Sequence, residues 1–344
     1  MAIEIIATGR AIPSQMISND ELATRVDTND EWIRSHTGIG ARHIADEDTA
    51  CSDLALGAAK QALSMAIENK RLEAGSPEEA ARSLDLILVS TATPDYYGTP
   101  STACLVQNRL GAQNAAAMDV SAGCTGFIYG LETAAGLLGI SQFRKRALVI
   151  GSEILTRVAD WNDRGTCVLF GDGAGAVLLE RTGAPATGAE GQGLLRTILG
   201  ADGSGWEHLI IRRGGSRNPY KTGEVVDVPP HIDMNGRAVY NFAVKAVTAT
   251  IQDLLDQENI PIRKIARIIP HQANARIVQA AGKRLGIPEE KFFLNIEKYA
   301  NTSAASIPIA LDELNRGVEI KKGDLLMTIG FGGGLTFGGN LIVW

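Results

Sequence analysis

Asp119-Val-Ser-Ala-Gly-Cys124-Thr-Gly-Phe127 reads as a strand feeding a helix across a tight turn. The apolar run ending at Val120 predicts a buried strand. Small residues follow, and Phe127-Ile-Tyr-Gly-Leu131 starts a helical pattern. Cys124 then stands at a helix N-terminus, where unpaired N–H groups and the helix dipole favour a thiolate. A thiolate held there can attack an acyl thioester while backbone N–H groups cradle the oxyanion. A free cysteine is as readily a small buried apolar residue, so the rest of the chain has to decide.

Outward from this turn, strand-like and helix-like segments alternate. Strands are predicted at Leu84–Ser90, Ala115–Val120, Ala147–Ile150, Ala174–Leu179, Ile265–Pro270, Phe292–Asn295, Leu325–Ile329 and Asn340–Val343. Helices are predicted at Ala50–Ile67, Thr102–Leu110, Thr125–Leu138, Gly236–Asp256, Ala273–Leu285 and Ser303–Asn315. Such interleaving predicts an α/β protein with buried sheets. The run from Asp85 to Gly111 resembles that from Arg267 to Gly286, with Leu110-Gly111 and Leu285-Gly286 lying 175 positions apart. That offset, about half the chain, predicts two duplicated halves, 1–181 and 182–344, with Thr182–Gly193 as the link. Equivalent turns of two such halves would meet near a pseudo-two-fold axis, a natural place for a site. Glu68–Arg82 is polar, carries Gly75 and Pro77, and reads as a surface excursion holding at most a short helix.

The bulk properties narrow the function. The chain has 344 residues, 45% hydrophobic and 21% charged, with a net charge of −6. This is a globular composition with room for two domains or one duplicated one, and its acidic balance argues against nucleic acid as a partner. None of Cys51, Cys104, Cys124 and Cys167 forms a C-x-x-C pair, which argues against a metal ribbon and for reduced thiols in the cytoplasm. Met1–Ile6 lacks the features of a signal peptide, and no apolar run approaches membrane-spanning length.

Three further segments hold candidate chemistry. His271 follows the apolar run Ile265–Pro270 and opens a helix, at a strand end where α/β proteins place ligands. Asn301 lies in the small-residue turn Tyr299-Ala-Asn-Thr-Ser-Ala-Ala-Ser306, where a helix cap is the plainer reading. Phe331-Gly-Gly-Gly-Leu-Thr-Phe-Gly-Gly339 is a hairpin turn or a place of close backbone approach to a ligand. The glycines of Phe170–Ala176 make no dinucleotide fingerprint, because the run enters a strand rather than a helix.

Taken in order, these segments resemble the β-ketoacyl-acyl carrier protein synthase III family of the thiolase superfamily. Its marks here are the Cys124 turn, Pro270-His-Gln-Ala-Asn-Ala-Arg276, Asn301–Ser306 and Phe331–Gly338, with Asp30-Glu-Trp-Ile33, Thr37-Gly-Ile39, Asp163–Thr166 and Phe170–Gly175. The resemblance covers the whole chain and implies a thiolase-like, layered α-β-α-β-α core. It implies a decarboxylative condensation of an acyl-CoA primer with malonyl-acyl carrier protein, Cys124 being the nucleophile and His271 and Asn301 completing the triad. No permanently bound cofactor is implied; acyl-CoA is a substrate. The Cys124 and Gly333 N–H groups would form the oxyanion hole, and Phe331 an apolar wall beside the malonyl carboxylate. Thr28, Trp32, Arg164, Gly236 and Asn274 would bind coenzyme A, with Trp32 and Arg164 enclosing the adenine. Arg276, Lys283 and Arg284 share one face of a predicted helix and would dock the acidic acyl carrier protein.

Two positions depart from the family pattern. His36 replaces an arginine before Thr37-Gly38 and would grip a coenzyme A phosphate less firmly. Thr99 replaces a bulkier residue at the end of an acyl pocket that the resemblance places across a homodimer interface, leaving room for a longer or branched primer. The nearest alternative is a secondary-metabolism relative with a different acceptor. A non-catalytic carrier-protein binder and a biosynthetic thiolase fit less well, given the intact Cys-His-Asn set and no second cysteine in Phe331–Gly339.

Overall fold

The computed structural model describes residues 1–183, 192–226, 230–317 and 319–344. Its strands are, in chain order, β1 Ile3–Ala11, β2 Gln15–Ser18, β3 Ala41–Ile44, β4 Leu86–Ser90, β5 Ala116–Val120, β6 Arg146–Ile154 and β7 Asp172–Arg181. They continue with β8 Gly193–Ala201, β9 Leu209–Ile211, β10 Ile232–Met234, β11 Ile265–Pro270, β12 Leu325–Gly332 and β13 Thr336–Val343.

Two sheets carry the fold. One has the order β1-β7-β6-β4-β5 and the other β8-β13-β12-β11. The senses match step for step. β1–β7 and β7–β6 are antiparallel, as are β8–β13 and β13–β12, while β6–β4 and β12–β11 are parallel. β5 adds to the first sheet in parallel, and at the same place in the second stands one parallel bridge, Ile268 to Phe292. The predicted strand Phe292–Asn295 therefore shrinks to one bridge. A 3-10 turn at Glu289–Lys291 and the helix Ile296–Tyr299 leave it too little extended chain. Of the expected link, 184–191 lie outside the described residues.

Strand periodicity sorts the side chains into layers. Ile87 and Val89 of β4 pack outward with the helices Cys51–Glu68 and Thr102–Leu110. Leu86 and Leu88 pack inward with the helices Gly126–Gly139 and Ser306–Arg316. Beyond the second sheet, Met327, Ile329 and Leu341 pack against Gly236–Gln257 and Ala275–Leu285. The result is the expected α-β-α-β-α core. Both faces of β4 are buried, which explains its unbroken apolar run. β5 differs from its expected burial: as an edge strand it leaves Met118 37% exposed. No helix among the described residues is long and apolar enough to cross a membrane.

Candidate active site

Two equivalent turns meet between the sheets. After β5 the chain makes a 3-10 turn, Gly123–Thr125, before Gly126–Gly139; in the other half a 3-10 turn, Ser303–Ala305, precedes Ser306–Arg316. Asp119 anchors the first, accepting the N–H groups of Thr102 and Ala103 at 2.8 Å each. The Thr125 and Thr336 hydroxyls lie 2.8 Å apart and both reach the Ala122 carbonyl, tying the Cys124 turn to the last hairpin. The approach is close enough to require glycine. Gly123 has φ +52, and a side chain at Gly332 would start 2.6 Å from the Cys124 nitrogen.

Cys124 is half-buried. Burial pushes its thiol up to about 12, and the Glu153 carboxylate adds to this. Ser303 and the N–H groups of Cys124 and Gly333 act the other way, but less. The expected resting thiolate is therefore not favoured: loss of hydration outweighs the turn's dipoles. The two N–H groups that converge on the sulfur are those expected to form the oxyanion hole.

His271 directly follows β11 and is 1% exposed, its N–H donating to Ile329 O at 2.7 Å. Burial lowers its pKa to about 3, so the imidazole is neutral. Nδ1 lies 2.7 Å from Ser306 Oγ, and the ring meets Phe331 edge-on at 5.4 Å and 64°. Asn301 is locked by backbone. Its N–H donates to Leu169 O at 2.9 Å, its carbonyl accepts from Gly171 N–H at 3.0 Å, and its Oδ1 accepts the Ser303 N–H at 2.9 Å. Ala300 (φ 56) and Ser303 (φ 48) flank it in a conformation rare for side-chain-bearing residues, costing of order 1–3 kcal/mol each. Such strain is typical where a turn is held for function rather than for stability.

Cys124, His271, Asn301 and Phe331 line one cavity of about 430 Å³. Trp32, His36, Arg164, Gly236 and Asn274 line it too. Thr28 does not; its hydroxyl is buried and has no hydrogen-bond partner among the described residues. The Arg164 guanidinium sits 4.5 Å over the Trp32 ring and donates to Asp27 O at 2.9 Å. The two groups touch, so a base enters between them only if Arg164 swings away. His36 also stacks on Trp32, at 4.5 Å and 20°, and its Nδ1 lies 2.8 Å from the Trp32 carbonyl. Asn274 caps Ala275–Leu285 through Oδ1 and donates to His36 O at 3.1 Å. Arg276, Lys283 and Arg284 are exposed on that helix.

A second cavity of about 250 Å³ also borders Cys124. Gly333 and Ser303 border it with an apolar wall of Leu155, Leu209, Ile210, Ile211 and Ile232. Thr99 is exposed and lines neither cavity. The apolar wall was not legible in sequence, because β9 and β10 are only three residues each. Ser306 was visible only as the last letter of a motif. Among the described residues, no cluster of histidine, cysteine and carboxylates could hold a metal ion.

A cysteine, a histidine and an asparagine lining one cavity between two matching sheets define a thiolase-like condensing enzyme. The chain belongs to the 3-oxoacyl-[acyl-carrier-protein (ACP)] synthase III family. The family's C-terminal model matches residues 255–344 and its other model residues 118–203. The beta-ketoacyl-[acyl-carrier-protein] synthase III of Clostridium perfringens is 47% identical, covering 98% of both chains. The crystal structure of the Aquifex aeolicus 3-oxoacyl-[acyl-carrier-protein] synthase III is 42% identical, with a TM-score of 0.86 over 99% of this chain and 100% of that one. The priming beta-ketosynthase of the R1128 polyketide pathway is 31% identical, with a TM-score of 0.86 over 99% and 96%.

Proposed function

We propose that this chain condenses an acyl-CoA primer with malonyl-acyl carrier protein to 3-oxoacyl-acyl carrier protein, releasing coenzyme A and CO2, as the first condensation of fatty-acid synthesis. The observation that carries the reading is the single cavity lined by Cys124, His271, Asn301 and Phe331, with Trp32 and Arg164 also on its wall. The curated relatives are named for this activity, which favours it over a secondary-metabolism acceptor.

Cys124 Sγ bonds to the primer carbonyl as that carbon's bond to the coenzyme A sulfur breaks. The cysteine's proton ends on the released coenzyme A thiol. The Cys124 and Gly333 N–H groups hold the oxyanion between these events. Malonyl thioester then enters, and its C–C bond to the carboxylate breaks, leaving CO2 and an enolate. His271 Nε2–H and the Asn301 amide donate to the enolate oxygen, so the electron pair needs no carboxylate base. Phe331 presents an apolar face where the malonyl carboxylate loses its solvation. The enolate carbon attacks the acyl carbon, and Cys124 leaves as thiolate and takes a proton from solvent, the one proton the overall reaction consumes.

The acyl chain rests in the apolar cavity beyond Cys124, and Thr99 of a second copy contributes to its end. Thr28, His36, Gly236 and Asn274 hold coenzyme A, and Arg276, Lys283 and Arg284 dock the carrier protein. Acyl-CoA is a substrate, not a resident cofactor. The chain works in the cytoplasm as a homodimer of duplicated halves, 1–181 and 182–344. The open edge of β5 supports a second copy there.

Intact-protein mass spectrometry with acyl-CoAs of increasing length, then malonyl-carrier protein, tests the reading. Acyl adducts on Cys124 that discharge to a 3-oxoacyl product are expected. Adducts that never discharge point to another acceptor, and no adduct means a non-catalytic binder.

A further inference from the structure

We propose that Ser306 is the positioning residue that keeps the His271 proton on Nε2, so that one turn, Ser303–Ser306, orients both hydrogen-bond donors of the site. This rests on the condensing reading, since only charge building on a carbonyl oxygen requires both groups as donors.

Ser306 is 2% exposed and opens the helix Ser306–Arg316. Its Oγ stands 2.7 Å from His271 Nδ1 and 3.3 Å from the backbone nitrogen of Gln272. A backbone N–H only donates, so Oγ accepts from Gln272. Among the described contacts, the one acceptor then within reach of the Ser306 hydroxyl hydrogen is His271 Nδ1. An Nδ1 that accepts carries no hydrogen, and the single proton of the neutral ring sits on Nε2. With Nδ1 turned to Ser306, Nε2 is the nitrogen left for the cavity that His271 lines. A carboxylate in this position would do the reverse. It would hold an Nδ1–H, leave Nε2 a bare acceptor, and place negative charge beside a malonyl group.

The same turn sets Asn301. The Ser303 N–H occupies Oδ1 at 2.9 Å, so the amide group left over is Nδ2–H2, a donor. Ser303 reaches this position with φ 48. A hydroxyl and an N–H three residues apart thus choose which atoms of His271 and Asn301 meet the substrate.

The test is ring-nitrogen NMR on protein labelled with 15N-histidine, His271 being assigned by its loss in His271→Gln. The unsubstituted enzyme at neutral pH should show His271 Nε2 protonated and Nδ1 not. Ser306→Ala should shift the ring toward a tautomer mixture, and Ser306→Thr, which keeps the hydroxyl, should restore the single form. Ser306→Ala should also slow malonyl decarboxylation about tenfold, the worth of one hydrogen bond, and slow self-acylation less. A protonated Nδ1 in the unsubstituted enzyme, or an unchanged tautomer in Ser306→Ala, overturns the assignment. Failure to form acyl-Cys124 in the unsubstituted enzyme would instead sink the condensing reading, and the tautomer spectrum would still decide the role of Ser306.

Discussion

Replacing Gly332 by alanine would drive a methyl group into the Cys124 turn. Its Cβ would lie 2.6 Å from the Cys124 nitrogen, 3.0 Å from its Cβ and 3.2 Å from its Cα. Carbon contacts are comfortable at roughly 3.5–4.0 Å, so β12 and the turn must part by about 1 Å. Two of these three atoms are backbone of Cys124 itself, so no flexible side-chain end can yield instead. The N–H groups of Cys124 and Gly333, adjacent to the clash on either side, would lose their common focus. A misplacement of about 1 Å costs about 10²-fold, and one lost oxyanion donor about 10²–10³-fold, or ~2.7–4 kcal/mol. Self-acylation should fall by that factor, while overpacking costs only about 1–3 kcal/mol of stability. The assay is the rate of acyl-Cys124 formation by quenched intact mass spectrometry, with thermal unfolding beside it. Gly136→Ala is the control, since its Cβ would meet nothing within 4 Å. A folded Gly332→Ala enzyme that acylates within about threefold of the parent would refute the oxyanion-hole geometry.

Other perturbations separate the remaining parts. His271→Ala or Asn301→Ala should cut malonyl decarboxylation by about 10²–10³-fold and spare self-acylation more; equal losses, measured as CO2 release and adduct formation, would contradict the division of roles. Burial holds His271 at about 3, against about 6.5 in an unfolded chain, so the unfolded state takes the proton first as pH falls. Stability from this residue is complete above about pH 6.5 and lost toward pH 3 at up to ~1.4 kcal/mol per unit. Urea unfolding of His271→Gln should lack that slope, and parallel pH curves would argue against a buried neutral ring. His36→Arg should lower KM for acyl-CoA about three- to tenfold through a charge-assisted phosphate contact; an unchanged KM at low salt would remove His36 from the coenzyme A site.

Long, strongly patterned elements were legible in the sequence. Ile265–Pro270 and Thr102–Leu110 match residue for residue, because one is apolar but for Arg267 and the other is bounded by Ser101 and Gly111. The helix Asp30–Thr37 went unread although Asn29 caps it and Gly38 ends it in a left-handed turn; it is two turns long, and Trp32 and Ile33 are its only apolar side chains. β8 was missed because it alternates weakly between half-buried and exposed residues. The cysteine turn could be placed, but its protonation could not. That depends on Glu153 and on the packing of Gly332 and Gly333, which lie far along the chain and meet Cys124 only in the fold. Ser306 escaped for a related reason: a serine at a helix start has no signature until a ring nitrogen is found 2.7 Å away.

The matched order of the two sheets has a consequence for how such a site can change. The Cys124 turn and the Asn301–Ser306 turn occupy the same station in the two halves, each between an outer strand position and a central helix. In the proposed reading, one turn serves as the covalent handle and its counterpart as the cradle for the developing charge. On that reading each can drift under its own selection, since primer capture falls mainly on the first and enolate formation mainly on the second. New primers and new extender groups can therefore be acquired separately, on a frame that stays symmetric while its contents do not.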